Sequence, residues 1–361
     1  MIATRPAAHP RETRPERGRG PAVAGIDLGG GSVRVVVARR EDARLRVTGR
    51  GESPLAGAAM NGGLVSDRGA VADGVREAFA AAENGQRAER VAVALDSDDM
   101  RTFHWLTSFE REDSRSQVNA GEAARAIREA GEDARAHASA ALEEDAALRG
   151  VPATQLEHHV AALALDGRAL PSLEGHRGRL VQVWTDVTLA PLVVTGATTA
   201  SLEAARRRGS AVSGAYALGR LLAASGITDA GVIRLGLDTT SLAVLREGRV
   251  VATRAFALGR DALVARSRAE QDAAVWADCV IASLRGIDGP PPGRWIFVGV
   301  PESLLALPKA LGDAVTGIRG DNVEIVPLAV SLATRVYGDV ALRPEDLVAA
   351  GAAALAAGLY E

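Results

Sequence analysis

The run Ala24-Gly-Ile-Asp-Leu-Gly-Gly-Gly-Ser-Val-Arg-Val-Val-Val-Ala38 returns in altered form as Gly231-Val-Ile-Arg-Leu-Gly-Leu-Asp-Thr-Thr-Ser-Leu-Ala-Val-Leu245. Each copy is an apolar strand, a turn of small residues and a second apolar strand. A third β-rich stretch follows both, at 45–51 and at 249–258. Duplicated hairpins at the starts of two half-chains predict two similar α/β lobes whose turns face each other across a cleft. Small-residue turns of this kind admit a phosphate chain, because nothing shields their backbone N–H groups. The second copy has lost most of the groups that phosphate chemistry uses.

At 361 residues the chain exceeds one ordinary core and points to two domains, with room for an inserted module. Apolar residues make up 47% but aromatics only 3%, so the core must be built from Ala, Val and Leu. A net charge of −3 argues against a dedicated nucleic-acid binder, which carries a basic face. Positive charge is almost all arginine, Lys309 being the only lysine. The single cysteine, Cys279, reads as a structural thiol and fits a reducing cytoplasm. No apolar run reaches the ~18–20 residues of a membrane span. Residues 1–21, with Arg5, Arg11, Arg14, Arg17, Arg19 and several prolines, read as a disordered arm rather than a leader peptide.

Along the chain, 23–51 reads as three strands, and Asp67 as the N-cap of a helix carrying Val71, Val75 and Phe79. Strands follow at 90–96 and 101–109. The Ala/Glu/Arg-rich run from Asn119 to Gly150 reads as exposed helix, and 157–165 and 180–189 as strands. We expect a strand at 192–195, a helix at 198–208, and small-residue helices at 210–225 and 344–358 lying between the lobes. The acids Asp96, Asp98 and Asp99 read as a solvated turn. His158 and His159 are adjacent, so on a strand they point to opposite faces and cannot chelate one ion. No P-loop and no dinucleotide glycine fingerprint occurs.

In order and spacing these features resemble the actin-like ATPase superfamily, and within it the cell-division actin homologue FtsA and its type IV pilus relative PilM. Four stretches carry the resemblance: Gly25-Ile-Asp-Leu-Gly as the first phosphate loop; Arg46–Glu52 with Gly62-Gly-Leu-Val-Ser-Asp leading into the helix from Ala70; the module at 119–189; and Arg246-Glu-Gly-Arg-Val as the turn of the second phosphate hairpin. The fold implied is α/β, with two ribonuclease-H-like lobes and a small α+β insertion. The first lobe takes 22–118 and 190–227, the insertion 119–189, and the second lobe 228–361. Only 263–293 separates the second hairpin from the adenosine loop, so the actin subdomain called 2B is expected to be largely missing.

The resemblance implies ATP and Mg²⁺ as cofactors. Asp27 would hold the metal, with Gly29, Gly30, Gly31, Ser32 and Arg34 in the first loop, Gly236, Thr239 and Thr240 in the second, and Gly299 at the adenosine loop. An active second loop reads close to Asp-x-Gly-Gly-Gly-Thr-Thr-Asp, since phosphoryl transfer needs a metal and an oriented nucleophile. Here Arg234 and Ser241 replace the two acids, and Leu237 and Asp238 replace glycines. No catalytic residue is assigned. The expectation is a degenerate cytoplasmic scaffold of cell division or pilus-type envelope assembly, with weak or no hydrolysis. Its partners are copies of itself or components of that machine, and any membrane association would come through a partner or through the Arg-rich arm. An active ATP-binding switch is the alternative. An exopolyphosphatase-like phosphatase is the weaker one, resting on Gly29-Gly-Gly-Ser-Val-Arg.

Overall fold

The computed structural model describes residues 20–360, apart from 30, 56 and 265–268. Nearly all of the Arg-rich arm, residues 1–19, lies outside the described residues, as does Gly30 of the first loop. In chain order the elements are β1 (Ala22–Asp27), β2 (Ser32–Glu41), β3 (Arg44–Pro54), a small hairpin of β4 (Met60–Asn61) and β5 (Leu64–Val65), α1 (Arg68–Ala82), β6 (Arg90–Leu95), β7 (Arg101–Glu110), α2 (Ala120–Glu144), β8 (Ala153–Leu165), β9 (Arg168–Leu170) and β10 (Leu180–Pro191). Then come α3 (Leu192–Ala204), β11 (Ser210–Ser213), α4 (Gly214–Ala224), β12 (Ala230–Leu235), β13 (Thr240–Arg246), β14 (Arg249–Phe256), α5 (Arg260–Val264), α6 (Ala269–Ser283), β15 (Arg294–Val298), α7 (Ala306–Arg319), β16 (Glu324–Pro327), β17 (Val336–Gly338) and α8 (Leu347–Ala356).

Three larger sheets organise them, in the orders β11-β6-β1-β2-β3-β17, β7-β10-β8-β9 and β14-β13-β12-β15-β16. The first and third share one plan. An antiparallel hairpin (β1–β2, β12–β13) carries a third antiparallel strand, and the first strand of the hairpin pairs in parallel with a later one (β6, β15). The duplicated hairpins therefore do begin two like lobes. In both, the first strand is buried throughout, which is why it reads as an unbroken apolar run rather than an alternating one.

Local chemistry sets the helix starts. Asp67 accepts from the Ala70 N–H at 3.0 Å and Asn119 from the Glu122 N–H at 2.9 Å, as their sequence positions predict. Two expectations fail. Residues 192–195 form the start of α3 and not a strand, because Val194, Thr198 and Leu202 are buried at the four-residue spacing of one helix face. Residues 210–213 pair with β6 as β11 before Ser213 caps α4, so the helix expected from 210 begins four residues later.

Sheet pairing also regroups the chain. β7, placed by the sequence in the first lobe, pairs along its length with β10 in the inserted sheet. β17 pairs with β3, and α8 packs on β1, so both join the first sheet although they follow the second lobe in sequence. Alternation reveals a strand but not its neighbour.

Between the two lobes run α4 and α8, in contact with each other, as their small residues predict. A Cβ on Gly351 would lie 2.5 Å from the Ala217 carbonyl oxygen, and one on Gly25 would overlap the Ala349 carbonyl. The central layer is thus backbone against backbone, filled by Ala349, Ala350, Ala352, Ala353 and Ala354, all fully buried. Such a layer has no rotamers with which to adjust. Gly25→Ala should therefore lower stability by about 1–3 kcal/mol or more, the range for overpacking a closed site. Gly196→Ala, at an exposed position of α3 with nothing within 4 Å, should be neutral or stabilising by up to ~1 kcal/mol. Urea denaturation of the two variants tests this; equal effects would contradict it.

Candidate functional site

The two hairpin turns meet where the lobes join. β1 ends at Asp27, whose carboxylate Oδ1 accepts the Gly29 N–H at 2.9 Å and closes the first turn on itself. Asp96 follows β6, beside β1 in the sheet, and its Oδ1 accepts the Ala215 N–H at 3.0 Å at the start of α4. A carboxylate there also meets the positive end of the helix dipole. Both acids are almost wholly buried.

The group between them comes from the other lobe. Arg234, inside β12 and 6% exposed, donates from Nη2 to Asp27 Oδ1 at 2.5 Å and from Nη1 to Asp96 Oδ2 at 2.7 Å. Burial opposes the guanidinium charge, but the pull of Asp27 and Asp96 outweighs it and holds its pKa above the usual arginine value. Burial pushes the Asp96 carboxyl up, against Arg234 and the Ala215 N–H, which favour the anion. The geometry is that of a buried ion triad with its positive member in the middle. Sequence reading placed Asp96 in a solvated turn. The signal it missed is Arg234 itself, since an arginine in a fully buried strand requires carboxylate partners, and β6 ends where one is needed.

The rest of both turns is closed by packing. A Cβ at Gly29 would lie 2.7 Å from Arg234 Nη2, and one at Gly31, whose φ is +79°, would lie 2.6 Å from Leu237 Cδ1. The Leu237 side chain thus fills the niche that the glycine opens. The Gly236 N–H donates to the Thr239 carbonyl at 2.8 Å, and the Gly236 and Leu237 carbonyls accept the Arg260 and Asp261 N–H groups at 3.0 Å. Thr240 lies behind the turn, its Oγ1 donating to the Leu258 carbonyl at 2.6 Å and accepting the Trp276 indole N–H at 2.9 Å. Thr239 is buried, and Gly299, at φ +81°, packs on the Leu235 carbonyl. Ser32 donates to Glu52 Oε1 at 3.3 Å, and Arg34 reaches Glu52 at 3.1 Å and Asp27 at 3.9 Å.

From Glu52 the ion pairs continue outward. Arg50 Nη2 lies 2.8 Å from Glu52, and its Nε 2.6 Å from the fully buried Asp346 at the entrance to α8. Burial pushes the Glu52 carboxyl up, yet the bond from Arg50 and the charge of Arg34 prevail and leave it below the usual carboxylate range. One chain of charge therefore runs from β12, through the lobe junction, to α8.

The structure brings Asp27, Gly29, Gly31 and Gly236 together, and places Ser32 and Arg34 beside them. These residues do not fit a metal-bound nucleotide. A cation at Asp27 would meet the Arg234 guanidinium, Leu237 occupies the approach to Gly31, and the Gly29 and Gly236 N–H groups already have acceptors within their own turns. Among the described residues no group of three or more His, Cys, Asp or Glu side chains is placed to hold a metal ion.

No protein-family model matches the sequence, and no curated protein matches it significantly. Solved structures do resemble it. A chain of the PilM–PilN type IV pilus biogenesis complex superposes with a TM-score of 0.59 at 17% identity, over 93% of this chain and 98% of that one. The ethanolamine utilization protein EutJ from Carboxydothermus hydrogenoformans gives 0.46 at 15%, over 92% and 89%. The cytoplasmic domain of EpsL, an inner membrane component of the type II secretion system of Vibrio cholerae, gives 0.38 at 12%, over 92% and 94%. The first of these establishes the fold, which is that of the actin-like ATPases.

Removing the central cation leaves two carboxylates buried and unpaired. Arg234→Met should cost about 3–5 kcal/mol in urea denaturation. Adding Asp27→Asn and Asp96→Asn, which keep the bonds to Gly29 and Ala215, should recover most of it. A single variant as stable as the parent would show that the triad does not form.

Proposed function

We propose that this chain is a PilM-like actin-fold scaffold in pilus-type envelope assembly, whose lobes are pinned by a side chain instead of a nucleotide. The observation that carries this is the Asp27–Arg234–Asp96 bridge, which spans the two lobes with charges supplied wholly by the chain. In an actin-like fold the corresponding acids would face a metal–phosphate group; here the arginine supplies the opposing charge permanently. The 37 residues or so between β14 and β15, which hold α5 and α6, support the reading that the adenine-side subdomain is reduced. Of the two relatives that the sequence suggests, the superposition on the pilus complex favours pilus assembly over cell division.

The partners on this reading are other components of that assembly or further copies of the chain. Among the described residues no helix is long and apolar enough to cross a membrane; on this reading, membrane association is through a partner. The inserted module offers a surface for this, since α2 buries Ala130, Ala134 and Ala138 against its sheet and turns its charged side outward.

Titration of the protein with Mg-ATP in a calorimeter should give no saturable heat. Low-micromolar binding, lost in Asp27→Ala, would instead establish a working nucleotide switch. In source cells, deleting the gene should abolish pilus-type surface filaments, with the full chain restoring them. Normal filaments in the deletion strain would remove the pathway assignment and leave the calorimetric result to stand alone.

A further inference from the structure

The inserted sheet has two edges, β7 and β9. β9 is only three residues long, whereas β7 has ten and pairs with β10 in unbroken register. Antiparallel strands alternate between residues that bond to the neighbour and residues whose N–H and C=O point away from it. The Arg111 N–H donates to the Arg179 carbonyl at 2.9 Å, which sets the phase. Trp105, Thr107 and Phe109 therefore bond to β10, while Leu106, Ser108 and Glu110 turn their backbone groups outward. Residues 101–104 face β14 across a cleft, so the open stretch of the edge is 106–110. All three outward-bonding residues there are exposed, Leu106 at 41%. A straight edge with no bulge, proline or lysine to block it is a template for a further strand.

What lies over the edge selects the strand. Asp133 of α2 accepts on Oδ2 the Trp105 indole N–H at 2.8 Å and the Thr107 hydroxyl at 2.7 Å. Glu122, at the start of the same helix, takes Arg111 Nε at 2.7 Å, just past the end of β7. One flank of α2 thus runs above the open stretch. Glu129 stands on it between those two acids, one turn from Asp133, and is exposed. The flank reads Glu122, Ala126, Glu129, Asp133, Ala136, with acids and no lysine or arginine. The other face of β7 presents Leu106 to solvent. A second copy fits this edge poorly. Because α2 lies over β7 and β10 alike, pairing β7 with itself would set two acidic flanks side by side.

We propose that β7 is completed by an extended segment of a partner protein in which basic and apolar residues alternate. The segment runs antiparallel to β7, the more stable pairing. Its apolar residues bond through their backbone to Leu106, Ser108 and Glu110, and their side chains lie on the Leu106 face. Its basic side chains point to the other face, toward Glu129 and Asp133. Successive side chains of a strand take opposite faces, so one alternating sequence satisfies both. This deepens the scaffold reading, on which it rests for the existence of a partner, by stating the chemistry that partner carries.

Fluorescence anisotropy with a labelled short peptide alternating arginine and valine tests this, together with residue-resolved hydrogen exchange. Saturable binding is expected, with the N–H groups of Leu106, Ser108 and Glu110 becoming protected. Those of Thr107 and Phe109, already bonded to β10, should change little. Ser108→Pro removes an outward N–H and spares the β10 ladder, and should weaken binding about tenfold or more, as should Glu129→Lys. A peptide alternating glutamate and valine should not bind. Failure to saturate, protection elsewhere, or equal binding by parent and Ser108→Pro overturns the proposal. So does a concentration-dependent dimer that Ser108→Pro abolishes, since it gives the edge to a second copy. Should Ser108→Pro fail to fold, the peptide decides it on the parent protein: N-methylation of the valine amides should abolish binding, and N-methylation of the arginine amides should not. None of these outcomes bears on the filaments of the deletion strain, so the edge and the pathway assignment fail separately.

Discussion

One guanidinium sits at the seam between the lobes, and its two carboxylates come from adjacent strands of the opposite sheet. Taking three charges out of water is expensive, and their attraction offsets that cost only when the geometry is good and the remaining lone pairs are satisfied. Here the Gly29 and Ala215 N–H groups satisfy one oxygen of each acid, and Arg34 stands near the free oxygen of Asp27. The bridge therefore depends on the first turn and on the start of α4 both being in place. Once they are, any opening of the lobes must strip a buried charge of its partner.

The layer beneath the bridge imposes the same rigidity by other means. α4 and α8 approach so closely that glycine is required at Gly351, and β1 accepts α8 only because Gly25 has no side chain. Asp346 connects the two systems, since it begins α8 and holds Arg50, which holds Glu52, which holds Arg34. Charge at the junction and small-residue packing below it are thus one continuous constraint.

Much of this is legible in the sequence, and the failures have definite causes. The two hairpins are visible because their strands are buried on both faces, and the caps at Asp67 and Asn119 because their chemistry is local. The substitutions Arg234 and Leu237 are visible as losses of acid and glycine. Their consequence is not, because Asp96 lies 138 residues away from Arg234 and a short acidic run reads as a turn. β7 is recognisable as a strand, but its pairing with β10 is a tertiary fact. The exposed apolar start of α3, with Leu192 and Val193, imitates a strand because β-branched and leucine residues serve both structures.

On the proposed reading, Arg234 occupies the place of a metal-bound nucleotide. Crystals grown with Mg²⁺ and a non-hydrolysable ATP analogue test it most directly. The expected result is density for the guanidinium between Asp27 and Asp96, with no nucleotide in the junction. A coordinated magnesium–nucleotide with Arg234 swung aside would contradict it.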